Sequence, residues 1–95
     1  MCRNIRVLHH FDPPSTPEEI RAAALQYVRK VSGIREPSKS DLRAFEKAID
    51  DVAKVTSRIL DALTIPRTPA RTREAEKIKA RERWESRKSR IVASR

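Results

Sequence analysis

Residues 42–63 read LRAFEKAIDDVAKVTSRILDAL, and this stretch decides the fold. Leu42, Phe45, Ile49, Val52, Thr56, Ile59 and Leu63 step by three and four without a slip. Side chains at that spacing share one face of an α-helix. Repeated over about three heptads, they form a coiled-coil-like seam with one polar knob at Thr56. Ala48, Ala53, Val55 and Leu60 widen the apolar stripe. Ser38 or Ser40 is expected to cap the helix, Ser38 and Asp41 having capping-box spacing. Pro66 and Pro69 end it near Leu63, because proline has no backbone donor and its ring clashes with the preceding turn.

Upstream, a first helix is predicted over 17–32. Thr16 is a natural N-cap, Pro17 suits the first helical position and Glu19 completes a capping box. Ile20, Ala24, Tyr27, Val28 and Val31 follow one face. Arg29 and Lys30 suit the last turn, and Gly33, the only glycine of the chain, stands where a left-handed C-cap is expected. Ile34-Arg35-Glu36-Pro37 is a turn, so the two helices are expected to pack as an antiparallel hairpin. Residues 1–14 form an arm with a short extended stretch at Ile5-Arg6-Val7, ended by Asp12-Pro13-Pro14.

Downstream the charge changes. Residues 67–95 hold eleven Lys/Arg against four Glu, whereas the preceding residues hold eleven against nine. The net charge of +9 is therefore mostly carried after Pro66. A third, charged helix capped by Thr72 is predicted there, with almost no apolar face. The chain divides into a small helical domain, 1–66, and a basic helical extension, 67–95.

Ninety-five residues make one small domain. A body of this size is marginal alone, so a dimer or bound partner would support it. Ala, Leu, Ile, Lys, Arg and Glu dominate, which favours helix over sheet. No apolar run is long enough to span a bilayer, and the N-terminus lacks the apolar core of a signal peptide. The lone Cys2 forms no intrachain disulfide, so a cytoplasmic location is expected.

A basic extension on a near-neutral body points to a polyanion. Arg67, Arg71, Arg73, Lys77, Arg81, Arg87, Lys88 and Arg90 would neutralise phosphates, and Trp84 among them could stack on an unpaired base. Arg29, Lys30, Arg35 and Lys39 form a second basic patch at the helix turn. The interspersed Glu74, Glu76, Glu82 and Glu85 fit a solvated helix with local ion pairs. Acidic protein surfaces and membranes fit less well, the latter for want of an apolar face beyond Ile78, Trp84, Ile91 and Val92.

Cys2, His9, His10 and Asp12 are metal ligands by type, but their spacing matches no zinc motif. No metal or other cofactor is expected; the simpler reading packs His9 or His10 against the first helix. With Met1 removed, Cys2 would place an amine beside a thiol, with Arg3 and Arg6 able to lower the thiol pKa. A two-helix body offers little room for a catalytic pocket, so no enzyme activity is expected.

The block Met1-Cys2-Arg3-Asn4-Ile5-Arg6, then Phe11-Asp12-Pro13-Pro14-Ser15-Thr16 and Glu19 to Gly33, resembles an uncharacterised bacterial family, domain of unknown function 2277. With Pro37-Ser38-Lys39 and the Phe45–Leu63 helix, the resemblance spans about residues 1–63. It implies a small helical protein and no assigned activity. It draws interest to Cys2, Arg3 and Asn4 and to Arg29, Lys30 and Gly33. The family pattern carries Asn at the place of His10, which weakens the metal reading.

The sequence therefore predicts an all-α protein: an N-terminal arm over an antiparallel helical hairpin, with a basic helical tail. The expected function is non-enzymatic binding of nucleic acid or a nucleoprotein through that tail. The alternative is a protein–protein adaptor or homodimer using the seam of the second helix.

Overall fold

The computed structural model describes residues 5–93. Its elements are α1 (Pro17–Ser32), α2 (Leu42–Ala62) and α3 (Arg73–Ala93), and no β-strand occurs among the described residues. The protein is all-α.

The start of α1 is fixed by the predicted box. The Glu19 amide donates to the Thr16 hydroxyl (3.2 Å), and the Thr16 amide donates to the Glu19 carboxylate (2.9 Å). Gly33 closes the helix in the left-handed region (φ 69°), its amide donating to the Arg29 carbonyl. That geometry is open to glycine because it has no Cβ.

The start of α2 differs from expectation. Asp41 is the N-cap and makes no side-chain cap bond. The Ser38 hydroxyl instead donates to the Asp41 carboxylate (3.3 Å) and lies 3.1 Å from the Ser40 hydroxyl. Asp41 bonds back to the Ser38 carbonyl in a turn, which leaves Ser38 outside capping position. Ser38 and Ser40 therefore shape the turn and do not cap α2.

Helices α1 and α2 pack on one another. Ala24 and Val28 meet Phe45 and Ile49 in the core, with Leu25, Ile34, Ala48, Val52 and Ala53 partly buried around them. Ile20 is also buried. Arg21, early in α1, pairs with Asp50, nine residues into α2.

The seam outlasts its partner. At about 1.5 Å per residue, α2 is roughly 7 Å longer than α1. Ile59 and Leu63, toward the end of the seam, remain 54% and 45% exposed, and Val55 beside it 58%.

The chain then returns to the arm. His10 takes a left-handed backbone (φ 62°), Phe11 and Arg71 form an isolated parallel bridge, and α3 begins beyond it. The bonds are Asp12 N–H to the Arg71 carbonyl (3.0 Å) and Arg71 N–H to the His10 carbonyl (2.7 Å). Helix α3 packs against neither α1 nor α2. The radius of gyration is accordingly 16.8 Å, against about 12 Å for a compact chain of this length.

Candidate functional site

Helix α3 starts as predicted: the Ala75 amide donates to the Thr72 hydroxyl (3.2 Å). Helical periodicity of 3.6 residues per turn sorts its charges. Lys77, Arg81, Trp84 and Lys88 are spaced four, three and four apart, so they line one face, and all four are exposed. Arg90 is exposed on a different side. Among the described residues, the ion pair within α3 is Glu76 with Lys79 at 3.6 Å. The Arg87 guanidinium lies over the Trp84 ring, 5.9 Å from its centroid. Arg67 is exposed on the link before the helix.

Two residues of the predicted phosphate-binding set have another role. The Arg71 side chain donates to the His9 carbonyl (2.7 Å). Arg73 grips Glu19 with two bonds, Nη2 to Oε1 at 2.7 Å and Nε to Oε2 at 3.1 Å. It also donates to the carbonyls of Pro13 (2.9 Å) and Pro14 (3.3 Å) and sits over the Phe11 ring. These contacts anchor α3 to the arm and α1. Nothing in the local sequence distinguishes Arg71 or Arg73 from the cations around them; the partners are 54 to 62 residues away.

The anchor is electrostatic as well as geometric. The bonds from Arg73, followed by that from the Thr16 amide, lower the Glu19 pKa from 4.5 to about 2. Glu19 in turn raises the pKa of Arg73. One carboxylate thus caps α1 and holds α3.

His10 belongs to the same anchor. Its Nε2 donates to the Thr68 carbonyl (2.6 Å), which turns the ring toward the link after α2. Among the described residues, no cluster of three or more His, Cys, Asp or Glu side chains could hold a metal ion. Cys2, Arg3 and Asn4 lie outside the described residues.

Concavities lie beside α1 and α2 among the described residues, two of them lined by candidate residues. The larger, about 590 Å³, lies where Ile5 and Leu8 of the arm meet Tyr27 of α1 and Val52, Val55 and Leu60 of α2. Its lining is mostly apolar, with Arg6, Asp51 and Thr56 the exceptions. The Thr56 hydroxyl is turned back onto the Val52 carbonyl (2.7 Å), and Asp51 is paired with Lys47 (3.1 Å). The smaller, about 360 Å³, brings Arg29, Lys30, Gly33 and Arg35 together with Gln26. Arg29 Nε donates to the Arg35 carbonyl (3.1 Å). Lys39 does not line it. No described helix is long and apolar enough to cross a membrane.

The family model described as uncharacterised conserved protein (DUF2277) matches residues 1–79. The match extends beyond the second helix, through the anchor at residues 68–73 and into the first two turns of α3. No curated protein and no solved structure matches the chain.

Proposed function

The chain belongs to this family of uncharacterised conserved proteins, and from that premise we propose that it is a non-catalytic module that binds nucleic acid, alone or in a nucleoprotein, through α3. One observation carries the proposal: a 21-residue helix, packed against neither of the others, lines Lys77, Arg81 and Lys88 around Trp84. A helix with no core to cover has its length free for a partner, and cations on one face match a line of phosphates. The anchor at Glu19 and Arg73 makes that helix part of the body and gives it a fixed root.

Binding measured against salt tests the proposal. Each phosphate contact contributes about −0.7 to the slope of log affinity on log salt for single strands, and about −0.9 for duplex. Replacing Lys77, Arg81 and Lys88 by Gln should weaken binding and flatten the slope by roughly 2 to 3. A triple variant with the parent's affinity and slope would overturn it.

A second reading has its own support. Ile59 and Leu63 of the α2 seam, with Val55 beside it, leave an exposed apolar stripe. Such stripes favour protein contact, with an adaptor's partner or with a second copy. Sedimentation at rising concentration tests the second copy; a strict monomer removes it.

A further inference from the structure

We infer that α3 takes single-stranded nucleic acid, with an unpaired base stacked on Trp84. The inference rests on the α3 reading above and adds the class of strand.

Trp84 is 52% exposed in the middle of a helix that covers no core. Hydrophobic packing within the described chain therefore does not account for its place. Its surroundings are cationic: Arg81 one turn before, Lys88 one turn after, and Arg87 over the ring. Along the axis, Arg81 and Lys88 stand roughly 4 and 6 Å from Trp84 at 1.5 Å per residue. A base on the indole would thus keep its flanking phosphates within reach of both cations.

Arg87 strengthens the case. Its Nε is shielded from solvent with no hydrogen-bond partner, and the guanidinium carbon lies within cation–π range of the ring, 5.9 Å from its centroid. It puts positive charge beside the indole. Single-stranded binders combine aromatic platforms with such a basic track.

A duplex cannot use this arrangement as cheaply. Its bases are already stacked, and exposing one face costs a few kcal/mol of unstacking. A single strand offers the face directly. Every base has a π-face, so recognition by stacking on Trp84 is tolerant of sequence.

Trp84 is the only tryptophan, so its fluorescence reports the contact in the full chain. Oligo-dT, oligo-rU and a duplex of equal length would be titrated at one salt concentration. The single strands should quench Trp84 and bind more tightly than the duplex. Trp84→Ala, followed by polarisation of labelled oligo-dT, should lose roughly 5- to 150-fold in affinity, and Trp84→Phe should recover part of that loss. Circular dichroism of both variants should match the parent, since Trp84 supports no core. Equal or tighter duplex binding, with Trp84→Ala harmless and the salt dependence intact, would overturn this inference and leave the α3 proposal standing. Absence of binding to either form would overturn both.

Discussion

Arg73 and Glu19 form a two-pronged ion pair, with Nη2 2.7 Å from Oε1 and Nε 3.1 Å from Oε2. Both groups are partly shielded, and Oε1 also accepts the amide of Thr16. A bidentate guanidinium–carboxylate contact fixes direction as well as distance. The first residue of α3 is thereby tied to the first turn of α1, although the two helices share no packed face. The basic helix is rooted by charge and backbone bonds, whereas α1 and α2 are held together by apolar burial.

The pH response of Glu19 follows from this pair. Its folded pKa, about 2, lies below its ordinary 4.5. The contribution to stability is therefore present above the unfolded value and is lost as pH falls from about 4.5 toward 2. An NMR titration of the Glu19 carboxyl should give a midpoint near 2, and Arg73→Gln should move it upward. A midpoint at the ordinary value in the intact protein would mean that the anchor does not form.

The anchoring and exposed cations should separate in their effects. Arg73→Gln removes bonds to Glu19, Pro13 and Pro14, so exchange of the Asp12 and Arg71 amides should accelerate. Lys77→Gln should leave those amides protected. Equal protection in both variants would assign the arm contact to the backbone bridge alone.

Gly33→Ala isolates backbone strain. Nothing lies within 4 Å of the position a Cβ would take, so there is no clash. The φ of +69° remains unfavourable for an L-residue, at about 1–2 kcal/mol. Denaturant unfolding should show that loss with an unchanged m-value.

Phe45 and Ile59 lie on the same seam but should differ. Phe45 is buried and Ile59 is exposed. Phe45→Ala should cost about 3–5 kcal/mol, enough to unfold so small a core. Ile59→Ala should cost under about 0.5 kcal/mol in a monomer. A larger, concentration-dependent loss at Ile59 would place that face in a homodimer.

Much of the fold was legible because it is written locally. The capping box of Thr16 and Glu19, the left-handed Gly33 and the cap at Thr72 each depend on residues no more than four apart. The seam of α2 is legible for the same reason, its 3.6-residue period being carried by the chain itself. Ser38 misled because capping-box spacing also fits a serine whose hydroxyl reaches the next turn's carboxylate. Of the exposed face of α3, the composition was readable, and Trp84 stood out within it. The division of its cations was not readable.

By itself, the sequence determined three helices, the starts of the first and third, the ends of the first and second, and an excess of positive charge in the last of them. The tertiary structure decided which charges remain exposed. Arg73 and Arg81 have similar neighbours along the chain, yet Arg73 meets Glu19 across 54 residues while Arg81 faces outward. A helix is specified by interactions between near neighbours. The partner of a surface cation is chosen by how distant segments come together, and only the folded chain supplies that information.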